Sequence, residues 1–286
     1  MILQFVIGQY VPTVLVHGLG EQASDYIHIQ ANILKMYPEM FVLPIEIGNG
    51  KVDSYFKSIP EQVSEMAIII SNNPQLARGF NLICHSQGSI ICRTYVEQYN
   101  QPKVNRMILL AGPNAGYFCG TISKCPGIGN MPRLDKLVDD IIYSDFIQTN
   151  IGPSGIWKSP YNFQSYQQGS QTLAIIDNEL IVNSTYRANI QALDKLILVG
   201  SPDDDQIVPW QSQFFDFWAV NSDSKIEKLK DQIIYKQDKI GLRNLDERGD
   251  LIMISVNGFN HVAYYKEENQ EWMSQNVYQW LNQKGL

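Results

Sequence analysis

Positive charge is scarce in this chain of 286 residues. Lys and Arg number 22 against 29 Asp and Glu, which gives a net charge of −7 and an isoelectric point near 5.1. Nucleic acids and anionic lipid surfaces are both bound through clustered Lys and Arg. The composition therefore argues against a nucleic-acid-binding protein and against electrostatic attachment to a membrane.

Long apolar runs are also missing. A membrane-spanning helix needs about 20 consecutive apolar residues, and no run in the chain reaches that length, so we expect no transmembrane segment. Residues 1–8 (MILQFVIG) are almost wholly apolar but have no basic start, and we interpret them as the remnant of a secretory signal peptide. The sequon at Asn183 makes this residue a candidate glycosylation site.

The chain has only four cysteines and four histidines. Cys119 and Cys125 lie in a loop rich in Gly and Pro and are the candidate disulfide pair. For Cys84 and Cys92, on a predicted strand and the following helix, we expect small core hydrophobic residues rather than redox or metal-binding groups. His, Cys and acidic residues show no metal-ligand spacing, so no metal and no cofactor are expected.

No linker, repeat or low-complexity tract divides the chain, so residues 9–286 are expected to form a single domain. Strand-like and helix-like segments alternate up to residue 111, which predicts an α/β fold with a mainly parallel sheet and helices on both faces. The alternation then stops over about residues 112–187, and we interpret this stretch as a lid-like insertion over the strand ends. The oligomeric state does not follow from the sequence.

Ser86 lies in a tight turn between an apolar strand (residues 80–84) and a segment with helical periodicity (87–99). This is the context of a G-x-S-x-G nucleophile elbow, in which the turn exposes the serine hydroxyl beside the helix N-terminus. Here the pattern is C-H-S-Q-G, with cysteine in place of the first glycine. The alternative is a serine that caps an ordinary helix.

An acidic cluster, residues 203–205, follows a later buried strand, and His261 follows the last one. The order serine, acid, histidine is that of the α/β-hydrolase triad. A serine hydroxyl becomes nucleophilic when an imidazole takes its proton, and a carboxylate orients that imidazole. The backbone N–H groups of Leu19 and Gln87 are the expected oxyanion donors. His17 and His85 come too early in the chain to serve as the base, although each is placed to border the pocket.

These motifs resemble the palmitoyl-protein thioesterases over about residues 12–281. The segments that carry the likeness are H-G-L-G (17–20), C-H-S-Q-G (84–88), P-D-D-D-Q-I-V-P-W-Q-S (202–212) and G-L (241–242). The 202–212 segment is similar to the second, lysosomal subtype, whereas the Cys119 to Cys125 loop is closer to the first. In the family the acid lies five residues before the proline of its loop, which selects Asp204.

The resemblance implies an α/β-hydrolase fold and a lysosomal or secreted serine hydrolase with Ser86, Asp204 and His261 as its triad. The implied substrates are long-chain acyl thioesters, namely S-palmitoyl cysteine in proteins or peptides, or palmitoyl-CoA. Two alternatives remain: a lipase or carboxylesterase acting on oxygen esters, and a non-catalytic lipid-binding module of the same fold. Residues 156–160 keep the Trp and Pro of a family motif but lose its Tyr and Asp, so acyl-chain preference does not follow from the sequence.

Overall fold

Six strands form the central sheet of the structure, a computed structural model that describes residues 10–120, 124–125, 131–132 and 141–282. They are β1 (Thr13–Val16), β2 (Val42–Ile45), β3 (Phe80–His85), β4 (Val104–Leu110), β5 (Lys195–Gly200) and β6 (Leu251–Ser255). Their order across the sheet is β6-β5-β4-β3-β1-β2, and each neighbouring pair is parallel. The apolar segment at residues 1–8 lies outside the described residues.

Both faces of the sheet are buried. Val14 and Val16 of β1 face one hydrophobic core, while Leu15 between them faces the other. Leu82 and Ile83 of β3 divide in the same way. Because successive side chains of a strand point to opposite faces, strands covered on both sides read as continuous apolar runs. The predicted parallel sheet with helices on both faces is confirmed.

Helices connect the parallel strands and cover the sheet. Within the described ranges the α-helices are α1 (Ile27–Met36), α2 (Asp53–Phe56), α3 (Ile59–Ser71), α4 (Gln87–Gln98), α5 (Asp145–Asn150), α6 (Phe163–Gly169), α7 (Leu173–Ile176), α8 (Ser184–Gln191), α9 (Ile233–Lys236), α10 (Leu242–Glu247) and α11 (Gln270–Asn276). None of these helices is both long enough and apolar enough to cross a membrane.

Shorter elements complete the described part of the chain. The 3₁₀ turns are Ala23–Tyr26, Pro74–Leu76, Gly152–Ile156, Trp210–Phe214, Leu229–Asp231, Ala263–Tyr265, Glu267–Asn269 and Tyr278–Leu281. Two antiparallel ribbons pair Lys124–Cys125 with Met131–Pro132 and Phe217–Trp218 with Ile226–Glu227. The spacing of apolar residues predicts one closing helix over about residues 267–281, but the structure has α11 there with a 3₁₀ turn on each side. The backbone changes from α-helical to 3₁₀ geometry at Val277 (φ −114°, ψ −53°), and Tyr278 and Leu281 after it are buried.

Local sequence signals explain where α3 begins. The Ser58 hydroxyl accepts a hydrogen bond from the Glu61 N–H, and the Glu61 carboxylate accepts one from the Ser58 N–H. Pro60 stands in the first turn, where its missing N–H would have had no helical partner. Such a capping box satisfies two backbone donors that a helix start leaves free.

The chain between β4 and β5 packs on α3 and α4 through short helices and turns. A buried ion pair joins Arg93 of α4 to Asp177, and Lys158 lies 3.4 Å from the same carboxylate. The sequence predicts one apolar helical face over residues 134–146, and most of these residues lie outside the described ranges. Its last member, Phe146, belongs to α5 and is 73% exposed.

Cys84 and Cys92 are joined by a disulfide, with their Cα atoms 6.5 Å apart. The prediction that they are separate small hydrophobic residues is wrong, because α4 runs back along β3 and brings its second turn over the end of the strand. Cys119 is also disulfide-bonded. The side chain of Cys125 lies outside the described residues, so the pairing of Cys119 with Cys125 stays a prediction.

Candidate active site

Ser86 occupies a strained turn between β3 and α4. Its backbone has φ 53° and ψ −127°, a conformation that non-glycine residues rarely adopt. Gly88 follows it where the chain passes the end of β1, and a Cβ there would lie 2.5 Å from the carbonyl oxygen of His17. The second glycine of the elbow pattern is thus required by packing. The first is replaced by Cys84, whose side chain is accommodated because it bonds to Cys92.

His261 lies against the Ser86 hydroxyl. Its Nε2 is 2.8 Å from Ser86 Oγ, and its Nδ1 is 2.8 Å from Asp204 Oδ2. All three side chains are almost fully buried, with that of Asp204 completely so. The structure therefore brings together the serine, acid and histidine that the sequence placed after three separate strands.

The three aspartates after β5 each contact the loop that follows β6 and contains His261 (residues 257–261), here called the histidine loop, in a different way. Asp204 Oδ1 accepts hydrogen bonds from the backbone N–H groups of Gln206 and Ile207, at 2.8 and 2.9 Å, which fixes the carboxylate that faces the imidazole. Asp205 accepts from the backbone N–H of His261, and Asp203 from that of Gly258. Of the three aspartates, only Asp204 therefore contacts the imidazole, and Asp204 is the residue that the family resemblance selects.

In the loop after β1, Leu19 lies beside the pocket at Ser86, and its N–H has no acceptor among the described residues. The Gly18 N–H donates to Glu21 at 2.6 Å and the Gly20 N–H to the Ser54 hydroxyl at 2.8 Å, whereas that of Leu19, between them, donates to no described residue. Gln87 is the first residue of α4, where helical N–H groups lack a helical partner. Both residues line the pocket at Ser86, as expected for oxyanion donors.

A buried ion pair that the sequence did not reveal lies behind the histidine. His85 Nδ1 is 2.9 Å from Glu21, and His85 Nε2 is 2.8 Å from the carbonyl oxygen of His261. Burial disfavours the imidazolium, but the neighbouring carboxylate outweighs it and raises the pKa of His85. Burial also opposes the carboxylate charge, yet His85 and hydrogen bonds from Tyr26 and Gly18 lower the pKa of Glu21 to about 2.

The remaining predicted site residues lie apart from this arrangement. His17 is buried under the loop after β1, where its Nε2 accepts a hydrogen bond from the Ile47 N–H. Asn183 is exposed and caps α8 through its side-chain oxygen. Within the described ranges, no group of three or more His, Cys, Asp or Glu side chains is placed to hold a metal ion.

The pocket at Ser86 is narrow and has apolar walls. Besides the polar groups already described, its lining includes Tyr117, Pro153 and Ile156 from the segment between β4 and β5. Ile207, from the loop after β5 that carries Asp204, completes the apolar lining. A second pocket, of about 360 Å³, lies beyond that loop. Ile207 lines both pockets, and Trp210 and Trp218 line the second.

Comparison with known proteins decides the family. The family model for palmitoyl protein thioesterase matches residues 12–261. The chain belongs to the palmitoyl protein thioesterase family. Palmitoyl-protein thioesterase 3 of Dictyostelium discoideum is 38% identical over 246 residues, covering 86% of this chain and 83% of that protein. Lysosomal thioesterase PPT2-B of Xenopus laevis is 32% identical, covering 95% and 93%.

Solved structures agree on the fold of this palmitoyl protein thioesterase. A monoacylglycerol lipase of Paleococcus ferrophilus superposes with a TM-score of 0.52 at 15% identity, over 95% of each chain. Bacillus licheniformis lipase BlEst2 gives a TM-score of 0.51 at 13% identity, over 94% of this chain and 92% of the lipase. The predicted α/β-hydrolase fold and family resemblance are both confirmed, and the chain is a thioester hydrolase.

Proposed function

We propose that this enzyme hydrolyses long-chain fatty acyl thioesters through an acyl-enzyme on Ser86. The observation that carries the proposal is the continuous hydrogen-bonded line from Ser86 Oγ to His261 Nε2 and from His261 Nδ1 to Asp204 Oδ2, at 2.8 Å for each link. The substrates are S-palmitoyl cysteine in proteins or peptides, or palmitoyl-CoA.

In the first half-reaction, His261 Nε2 takes the hydroxyl proton as Ser86 Oγ bonds to the thioester carbonyl carbon. The N–H groups of Leu19 and Gln87 stabilise the oxyanion, and Asp204 stabilises the imidazolium without taking its proton. The C–S bond then breaks, and the sulfur leaves with the proton held by the imidazole. A water molecule, deprotonated by the same imidazole, attacks the acyl-enzyme and releases the fatty acid, which restores the Ser86 hydroxyl.

The apolar wall beside Ser86 suits the acyl chain. We infer that the acyl chain of the substrate runs from Ser86 over Ile207 and into the second pocket, against Trp210 and Trp218. Each CH₂ group buried there contributes about 0.8 kcal/mol to binding. Ile207→Trp narrows this path, so it should raise KM for palmitoyl-CoA more than KM for a short-chain acyl-CoA.

We further propose that the enzyme works in the lysosome or outside the cell. The Xenopus relative is named a lysosomal thioesterase, and disulfides such as Cys84–Cys92 persist in the secretory pathway but are rare in the cytosol. An antibody against the chain, applied to the cells that make the protein naturally, should label compartments that carry a lysosomal marker or detect the protein in the medium. Diffuse cytosolic signal, with both cysteines reduced, would refute this location.

The central test is Ser86→Ala, with Ser89→Ala as the matched control. Ser89 is also buried at the start of α4, but its hydroxyl donates to the Cys84 carbonyl and not to the imidazole. We expect Ser86→Ala to lower kcat for palmitoyl-CoA by about 10⁴-fold or more, and Ser89→Ala to stay near the wild-type value. Mass spectrometry of the quenched wild-type reaction should show the acyl group on the peptide containing Ser86.

Two alternatives are separated by the same assays. A lipase or carboxylesterase would turn over a nitrophenyl ester or a glyceride far faster than palmitoyl-CoA. A non-catalytic lipid-binding module would bind palmitate but show equal, background hydrolysis in wild type and Ser86→Ala. Full activity in a folded Ser86→Ala protein would remove Ser86 from the mechanism.

A further inference from the structure

We propose that His85 and Glu21 are positioning residues for the reaction. They hold the histidine loop after β6 and the loop after β1 that contains Leu19, here called the oxyanion loop, at fixed places relative to Ser86. The inference rests on the proposed function, because it takes Ser86 as the nucleophile and His261 as the base. Neither His85 nor Glu21 faces the substrate pocket, so they act through the residues that they hold.

The contacts of His85 require a doubly protonated ring. Both neighbours are acceptors: the Glu21 carboxylate is 2.9 Å from Nδ1, and the carbonyl oxygen of His261 is 2.8 Å from Nε2. A neutral imidazole has only one N–H and would leave one of these acceptors facing a lone pair. As the imidazolium, His85 donates to both and pins the backbone of the residue that takes the serine proton.

Glu21 extends the same network to the other loop. Besides His85, its carboxylate accepts hydrogen bonds from the Gly18 N–H at 2.6 Å and from the Tyr26 hydroxyl at 2.5 Å. Gly18 directly precedes Leu19, the proposed oxyanion donor. One carboxylate and one imidazolium therefore connect the loop after β1, the elbow and the loop after β6.

The pair is closed off from water, so a solvent molecule does not replace either partner. His85 is 0% and Glu21 is 6% exposed. The ring of Tyr265 meets that of His85 edge-on at 5.3 Å, and the ring of Tyr264 lies at 5.9 Å. The titratable groups that face His85 are Glu21, Tyr26, Asp204, His261, Tyr264 and Tyr265.

The test compares three variants of the full chain with palmitoyl-CoA as substrate. His85→Phe keeps a ring but removes both donors, and Glu21→Gln keeps the shape of the carboxylate but removes its charge. Glu97→Gln is the matched control, since it replaces another fully buried acidic side chain, the one that pairs with Arg93, by its amide. We expect kcat to fall by about 10²-fold in the first two, as for a misplaced catalytic group, with KM within about twofold of wild type, and kcat to be unchanged in the control.

The pH profile separates positioning from a purely structural role. Without the Glu21 charge, burial lowers the pKa of His85, so in Glu21→Gln the ring becomes neutral as pH rises and loses one of its donors. The kcat defect of Glu21→Gln should therefore be larger at pH 7 than at pH 5, and Glu21→Asp, which keeps the charge, should recover most of the loss at pH 7. A defect of equal size at both pH values, with no recovery in Glu21→Asp, would overturn the inference.

The remaining outcomes also decide. Wild-type kcat in folded His85→Phe and Glu21→Gln would refute the positioning role, as would an equal loss in Glu97→Gln. If His85→Phe does not fold, Glu21→Gln and its pH profile give the answer. An inactive Ser86→Ala together with a fully active Glu21→Gln would defeat this inference alone, whereas an active Ser86→Ala would defeat the proposed function.

Discussion

The disulfide between Cys84 and Cys92 gives a sharp quantitative prediction. It closes a loop of 8 residues that includes the nucleophile, and in the chain-entropy account a loop of this size stabilises the folded state by about 2.5 kcal/mol. Replacing both cysteines by alanine should lower the free energy of unfolding by at least that amount, because both sulfur atoms are fully buried and their loss leaves a small cavity.

The assay is urea unfolding followed by the fluorescence of the five tryptophans. With a slope of about 3 kcal/mol per M for a chain of this size, the midpoint of the double variant should fall by about 0.8 M or more. Wild type in a thiol reductant should shift in the same direction, because the reductant opens the loop in the unfolded chain. The double variant should not respond to reductant in this way unless the remaining disulfide at Cys119 also contributes.

The Cys84–Cys92 bond itself is checked by alkylation of the denatured, unreduced protein. Mass spectrometry should find no alkyl group on Cys84 or Cys92 in the wild type, and the tryptic peptide 79–93, which contains both, should carry an internal disulfide and be two hydrogen atoms lighter than its reduced form. Two alkylated thiols at these positions, or a double variant with the wild-type urea midpoint, would refute the reasoning.

Three further predictions follow from buried groups. Burial raises the pKa of Glu97 from 4.5 to about 8, so between these pH values the unfolded chain releases a proton that the folded chain keeps, and stability falls as pH rises. Glu97→Gln should flatten that fall in melting temperature between pH 5 and 8; an unchanged slope would contradict it. Gly88→Ala should destabilise the fold far more than Gly249→Ala, measured by urea midpoint, because a Cβ at Gly88 meets backbone at 2.5 Å whereas one at Gly249 meets nothing within 4 Å and costs only the strain of its φ of 73°. Asp204→Asn should lower kcat by about 10⁴-fold, while Asp205→Asn, which bonds only the backbone of the histidine loop, should cost much less; equal losses would leave the acid unassigned.

Much of the fold could be predicted because its signals are local. The capping box at Ser58 and Glu61 lies within one turn, and the buried strands are short apolar runs bounded by turn residues. The candidate site could be predicted for a similar reason. In a parallel sheet the carboxyl ends of strands share one edge, so polar residues directly after β3, β5 and β6 are expected to lie near one another.

The features that sequence reasoning missed depend on tertiary placement. Glu21 and His85 are 64 residues apart, and each taken alone is an ordinary polar residue after an apolar strand. Cys84 and Cys92 are close in sequence, but their pairing depends on α4 lying back across the end of β3. The one available signal was the cysteine in place of the first elbow glycine, since a side chain at that crowded point needs a neighbour that accommodates it.

The elbow itself explains why these missed features cluster around it. Ser86 has a positive φ of 53°, and a strained residue keeps such a conformation only when its surroundings determine it from several sides. Cys84 ties the chain before it to α4, His85 ties the adjacent residue to the loops after β1 and β6, and Gly88 lets the chain after it pass against the end of β1. Each restraint acts within two residues of the serine and reaches a different element. Loss of any one should therefore change the reactivity of Ser86 as well as the stability of the fold.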